Sequence, residues 1–198
     1  LNYYNEIDPF CCEWIENLMI AGEIPLGKID SRSILEVTPK DLEGFNQLHF
    51  FAGIGGWPLA LRLAGWHPDR PIITASCPCQ SFSSAGKQLG FNDPRDLWPQ
   101  FFKLVRPRLI EHPQPIIGEQ VGQAIKHGWL DRVYDDLERE GYTVGSAVLP
   151  ACGVGAPHIR SRLYWVADAP GRGRDGAFSG SEVRQGREAS VGLSDDGG

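Results

Sequence analysis

The sequence predicts an α/β fold, with a doubly wound, mostly parallel sheet covered by helices on both faces. Two observations carry this. Apolar runs of strand length alternate with longer amphipathic stretches of helical period through most of the chain. Glycines or carboxylates follow directly on several of those runs, and the carboxyl ends of strands are where open α/β sheets keep their ligands. With 198 residues and a hydrophobic fraction of 41%, the chain has enough material for one cored domain.

The elements follow in order. Leu1 to Ile7 reads as a strand ending in Glu6. Asp8-Pro9 starts a helix, with an N-cap acid followed by proline at the first helical position. That helix runs to about Ala21, with Phe10, Trp14, Leu18 and Ala21 as its apolar stripe and Gly22 closing it. Gly27 to Asp30 is a short strand, and Thr38-Pro39-Lys40-Asp41 caps a single helical turn. Gln47 to Phe51 is a strand, followed by a glycine turn and a helix from Trp57 to Ala64 that Gly65 ends. Ile72 to Ala75 is the next strand and Ser81 to Asn92 a polar loop. Asp93-Pro94 caps a helix from Arg95 to about Arg106. Pro115 to Gly118 is a strand ending at Glu119, and Gly128 to Glu140 an amphipathic helix. Tyr142 to Leu149 and Leu163 to Ala167 form a hairpin-like pair around the loop from Ala151 to Arg160. From Ala169 onward Gly, Ser, Arg and Asp dominate and apolar periodicity disappears. Residues 169–198 therefore read as a disordered tail behind a domain of residues 1–168.

Composition excludes several classes. No apolar run approaches the ~20 residues of a membrane span, and no signal peptide is visible. The five cysteines are odd in number, and Cys77-x-Cys79 is closer than zinc-ligand spacing. The expectation is no metal and a reducing cytoplasm. A net charge of −6 argues against a broad nucleic-acid surface, because phosphate contacts come from Lys and Arg. Any grip on DNA must be local or lie on other sequence. The chain begins at Leu, as a cut piece or a chain read from an alternative start codon would.

Four groups of residues carry candidate chemistry. Phe51-Ala52-Gly53-Ile54-Gly55-Gly56 lets the backbone approach a ligand between strand and helix, with helix-start amides facing it. A Gly-x-Gly-Gly turn serves packing as readily, and Pro58 breaks the dinucleotide Gly-x-Gly-x-x-Gly spacing. Cys79, between Pro78 and Gln80 in a polar loop directly after a strand, is a candidate nucleophile, although cysteine is more often a small buried hydrophobe. Cys77, nearer the strand, takes that plainer role. Glu119 ends a strand, as a cleft acid or a solvated one. Arg160 and Arg162 fall on one side of an extended segment by period-two alternation. There they hold a base carbonyl, a phosphate or the catalytic loop, or are simply solvated.

Taken together, these residues resemble the DNA cytosine-5 methyltransferase family. Phe51 to Gly56 is similar to its S-adenosylmethionine turn and Pro78-Cys79-Gln80 to its nucleophile motif. Glu119-Gln120-Val121 resembles its Glu-Asn-Val motif, and His158-Ile159-Arg160-Ser161-Arg162 its Gln-x-Arg-x-Arg motif. The likeness covers about residues 1 to 168. It implies a Rossmann-like methyltransferase sheet with S-adenosyl-L-methionine as cofactor and a flipped cytosine in DNA as substrate. In its terms Cys79, Glu119, Arg160 and Arg162 are catalytic. Residues 51–56, Glu6, Ile7, Asp30 and Pro78 bind the cofactor. Gln80, Ser83 and Gln120 bind the substrate.

The chain departs from the family pattern in motif order. Only 22 residues lie between Gly56 and Cys79, too few for a strand, a helix and another strand. Asn5-Glu6-Ile7-Asp8 resembles the family's ribose-binding acidic motif and Gly27-Lys28-Ile29-Asp30 its Gly-Asp-Ile motif, and both precede the glycine turn. The expectation is a permuted strand order, with the second and third strands ahead of the first. The helix after the glycine turn then leads to a strand on the other side of its own. Either it changes faces or its crossover is of the rare hand. Lys28, Gln120 and His158 replace the family's acid, Asn and Gln. No target-recognition region is visible, so a missing domain or a partner chain is expected to supply one. A bacterial or phage restriction-modification setting fits such a compact version.

Overall fold

The computed structural model describes residues 1–78 and 96–169. Its centre is a seven-stranded sheet in the order β2-β1-β3-β4-β5-β7-β6. The strands are β1 (Asn2–Asn5), β2 (Gly27–Asp30), β3 (Gln47–Phe50), β4 (Ile72–Ala75), β5 (Ile116–Val121), β6 (Thr143–Pro150) and β7 (Ser161–Asp168). The first five pair in parallel, while β7 runs antiparallel between β5 and β6. Among the described residues the α-helices are α1 (Pro9–Ile20), α2 (Gly56–Leu63), α3 (Trp98–Glu111) and α4 (Trp129–Arg139). Among the described residues no helix is long and apolar enough to cross a membrane.

Alternation along the strands assigns the two faces. Tyr3, Leu48, Phe50, Ile73, Ala75 and Ile116 point to one face. There they meet Ile34, Val37 and Leu42 of the β2–β3 connection and the apolar sides of α3 and α4. Trp98, Trp129 and Trp165 are all fully buried in this layer, and Trp98 meets the other two edge-to-face at 5.7 and 5.6 Å, the arrangement their quadrupoles favour. Tyr4 points to the opposite face, where Ile15 and Leu18 of α1, Ile24, Ala52 and Leu59 of α2 form a smaller cluster.

This layering decides the crossover question. β1 to β2 runs leftward through α1 on the smaller face. The connections β2 to β3, β4 to β5 and β5 to β6 run rightward across the larger face. Reversing both direction and face preserves hand, so these four crossovers share one hand. The step from β3 to β4 runs rightward through α2 on the smaller face and has the opposite hand. Right-handed crossovers dominate parallel sheets, which makes α2 the left-handed exception. The helix stays beside α1, where Arg62 bonds Gly22 and Glu23, and the chain accepts the rare hand.

Two local readings are corrected. The stripe on α1 is centred on Ile15, fully buried, flanked by Leu18 and Met19, whereas Phe10 and Trp14 are 66% and 45% exposed. Those two aromatics stack on each other at 6.3 Å. Their i,i+4 spacing reports a mutual contact, not the buried side. α3 passes through Pro107 and ends at Glu111. An interior proline costs about 3 kcal/mol, and packing offsets it: Leu109 is buried, and Arg108 donates to the Leu42 and Phe45 carbonyls. The expected Asp93-Pro94 cap lies outside the described residues. Of the expected tail only Ala169 is described, and it is buried against the core.

Candidate active site

The parallel strands all end on one edge of the sheet, and those of the residues singled out above that the structure describes gather there. After β3 the backbone turns sharply: Phe51, Gly53 and Gly55 have φ of 53°, 54° and 78°. Ala52 N–H bonds the Asn5 carbonyl at 3.1 Å, and Gly53 N–H donates to Glu6 Oε2 at 2.7 Å. Glu6 Oε1 accepts the Asp8 amide at 2.9 Å. One carboxylate at the end of β1 thus braces both the helix entry and the glycine turn. A Cβ at Gly53 or Gly56 would meet nothing within 4 Å, so the space before the turn is open, while a Cβ at Gly55 would press on Leu18 at 3.1 Å. Ile7 and Ile54 are 65% and 59% exposed beside it. Phe51 is half-buried and leans toward Phe101 at 6.5 Å.

Asp30 is differently placed. Oδ1 accepts from Arg32 N and Nε, at 3.1 and 2.9 Å. Oδ2 accepts from Tyr3 Oη and Arg32 Nη2, at 2.9 and 2.6 Å. A carboxylate has about four acceptor sites, so the protein itself takes them all. The Arg32 hydrogen bonds hold its carboxyl below the ordinary aspartate range, against the effect of burial.

β4 leads into the predicted nucleophile loop. Cys79, Gln80 and Ser83 lie outside the described residues, but the root of the loop is inside them. Cys77 is buried in the core and Pro78 exposed. Gln120, 2% exposed, sends Nε2 to the Cys77 carbonyl at 3.1 Å and takes the Val121 amide on Oε1 at 2.9 Å. Its amide is thus spent on backbone and not turned toward a substrate. Ser76 Oγ accepts the Trp57 indole N–H at 2.9 Å.

Glu119, on β5, pairs with Arg162 Nε at 2.9 Å, each side chain about a quarter exposed, at 26% and 24%. Burial pushes the Glu119 carboxyl above its ordinary value, opposed by Arg162 and Arg160. The two arginines are not the extended pair expected. Arg162 lies in β7 opposite Val121, whereas Arg160 precedes the strand, exposed, with φ of 31°. Sequence reasoning passed over Trp57, Ser76 and Tyr164. An aromatic residue with a donor, set directly behind a glycine turn, was the available signal for the first.

In comparison with known proteins, residues 67–175, more than half of the chain, match the family model described as C-5 cytosine-specific DNA methylase. Type II methyltransferase M.HhaI of Haemophilus parahaemolyticus is 28% identical over 171 residues, covering 67% of this chain and 52% of that protein. Type II methyltransferase M.HaeII of Haemophilus aegyptius is 36% identical over 160 residues, covering 79% of this chain and 42% of that protein. The chain thus spans about half the length, or less, of the curated relatives it matches. The solved structure of the Entamoeba histolytica methyltransferase EhMeth superposes with a TM-score of 0.56 at 17% identity, covering 87% of this chain and 46% of that one. That likeness shows a shared fold.

Proposed function

Because the chain belongs to the C-5 cytosine-specific DNA methylase family, we propose that it transfers a methyl group from S-adenosylmethionine to carbon 5 of cytosine in DNA through a covalent bond to Cys79. One observation carries the reading. The Glu119–Arg162 pair, the root of the Pro78-Cys79 loop and the glycine turn lie on adjoining strands at one edge of the sheet. That edge is where one base and one cofactor would have to meet.

The residues present fit the cofactor. Gly53 and Gly56 leave open space before the turn, and Ile7 and Ile54 offer exposed apolar surface. Each Glu6 oxygen accepts one amide N–H, leaving acceptor capacity for ribose hydroxyls. When bound, S-adenosylmethionine supplies an electrophilic methyl group. Asp30, closed on Arg32 and Tyr3, shapes the rim in this reading and Gln120 the loop.

The target cytosine must leave the helical stack. The Cys79 thiolate then adds to carbon 6, which makes carbon 5 nucleophilic. Glu119 hydrogen-bonds or protonates ring N3 as charge develops there, a task suited to a carboxyl whose proton is held above the ordinary range. Arg162 orients Glu119 and, with Arg160, holds the base carbonyl. After methylation, loss of the carbon-5 proton expels Cys79. Gln80 and Ser83 are assigned to loop contacts with the base, and no metal is required.

Support for the permuted strand order comes from the α2 crossover, whose hand is opposite to that of the other crossovers among the described elements, and from the start of the family match at residue 67, after the glycine turn. The short span relative to the relatives favours a second reading: a cofactor-binding half that acts on DNA, in a bacterial or phage-infected cytoplasm, only with a recognition domain or partner chain. Incubation with S-adenosylmethionine and duplex DNA, followed by mass detection of 5-methylcytosine, separates the two. Product that disappears in Cys79→Ser supports the first reading. Cofactor binding without product supports the second. An arm with structured RNA decides the nucleic acid.

A further inference from the structure

Trp57 has no part in the chemistry above, yet it links the glycine turn to the root of the predicted nucleophile loop and to the strand beside Glu119. It is the second residue of α2, covalently next to Gly55-Gly56. Its indole N–H is bonded to Ser76 Oγ at 2.9 Å. Ser76 is the first residue beyond β4 and stands three positions before Cys79; its own amide is tied back to the Phe50 carbonyl at 3.4 Å. The indole ring also meets Tyr164 edge-to-face, with centroids 6.2 Å apart and planes at 84°. Tyr164 lies directly opposite Glu119 in the β5–β7 pairing. The glycine turn, the nucleophile-loop root and β7, the strand paired with the acid strand, thus share one half-buried side chain on the smaller face of the sheet. The left-handed crossover keeps α2 on that face, where an indole can span from β3 to β7.

From this geometry we infer that Trp57 is a positioning residue, transmitting the state of the cofactor turn to the root of the nucleophile loop through the Ser76 hydroxyl. The inference rests on the proposed methyl-transfer reading for its purpose, but not for its geometry. A ligand that orders the glycine turn fixes the start of α2. The indole then fixes Ser76, and through it the segment that leads to Pro78 and Cys79. A purely structural tryptophan would stabilise the fold without making the loop respond to cofactor.

The test is peptide-resolved hydrogen exchange over residues 72–82, with and without S-adenosylmethionine, on the full chain, Trp57→Phe and Ser76→Ala. The phenylalanine keeps the ring and loses the donor; the alanine loses only the acceptor. Without cofactor, both variants should exchange about two- to tenfold faster at the Ser76–Cys77 amides, the range expected from one neutral hydrogen bond. Peptides of α3 and α4 should be unchanged. In the wild type, cofactor should slow exchange in this segment. In both variants that slowing should be lost, while cofactor affinity stays within about threefold and the double variant behaves like either single one. Unchanged exchange without cofactor, or full cofactor protection surviving in both variants, overturns the inference. A wild type that binds no cofactor defeats the proposed function instead, and the cofactor-free comparison still decides whether the indole holds the loop.

Discussion

The two ends of the sheet build the site by different means. On the β2-β1-β3 side, side-chain acids first brace the protein itself, although Glu6 keeps acceptor capacity to spare. Glu6 braces the amides of Asp8 and Gly53, and Asp30 closes on Tyr3 and Arg32. What faces outward there is backbone: a turn held at positive φ with open space before its glycines. On the β5-β7 side, what faces outward is a pair of charged side chains, Glu119 and Arg162. The side proposed for the cofactor should therefore fail when a Cβ is added or φ is constrained. The base side should fail when charge is removed without changing shape.

The largest effect expected from that contrast is on the base side. Glu119→Gln conserves volume and removes the carboxylate, so methyl transfer should fall about 10²- to 10⁴-fold while cofactor affinity stays near wild type. Steady-state kinetics beside calorimetric titration read both. Equal loss of cofactor binding would erase the distinction between the two ends.

Next is a pH effect centred on the cofactor side. His49 is fully buried on β3, stacked on Tyr4 and bonded through Nδ1 to Thr74 Oγ1. Burial pushes its pKa down to about 3. The neutral ring is the folded form. Its contribution is complete above the unfolded value, near pH 6.5, and is lost as pH falls toward the folded value. About 3 kcal/mol should be gone by about pH 4. Denaturant melts of the wild type and His49→Gln should converge as pH drops; parallel curves would remove His49 from the account. The paired carboxylates Asp30 and Asp41 add a further loss on acidification common to both proteins, since their carboxyls also lie below the ordinary range.

Gly118→Ala carries the backbone argument to the base side. An added Cβ would lie 2.2 Å from the Trp165 ring, and Trp165 is locked edge-to-face against Trp98. A stability loss of about 1–3 kcal/mol is expected, seen as a lower urea midpoint at unchanged slope. Smallest is Gly55→Ala on the cofactor side, about 1–2 kcal/mol from the left-handed φ and the contact with Leu18. This variant should weaken cofactor binding more than Gly118→Ala does, although its effect on stability is smaller. The reverse order would mean that the turn is a packing feature only.

Much of this was legible before any coordinates. Apolar runs placed all seven strands to within a few residues, because buried parallel strands read as short uninterrupted runs. Asp8-Pro9 placed the start of α1, whose cap accepts the Cys11 amide at 2.9 Å. What the sequence hid is tertiary. The α1 stripe misled because Phe10 and Trp14 satisfy each other outside the core. The last helical turn of α3, beyond the expected end near Arg106, went unread because Arg108 and Leu109 anchor it through partners far along the chain. The tasks of Asp30 and Gln120 depend on partners 2 and 43 residues away, which no local pattern announces. The hand of the α2 crossover was posed as a choice by the motif order and needed the two clusters to decide.

The central claim is that Cys79 adds to the base. The most direct measurement incubates the chain with S-adenosylmethionine and duplex DNA in which cytosine is replaced by 5-fluorocytosine. Fluorine at carbon 5 cannot leave as a proton does, so the enzyme stays attached. A DNA adduct stable to denaturation, mapped to Cys79 by peptide mass and absent in Cys79→Ser, is the result predicted. An adduct that persists in Cys79→Ser, or methylated product formed by that variant, would contradict it.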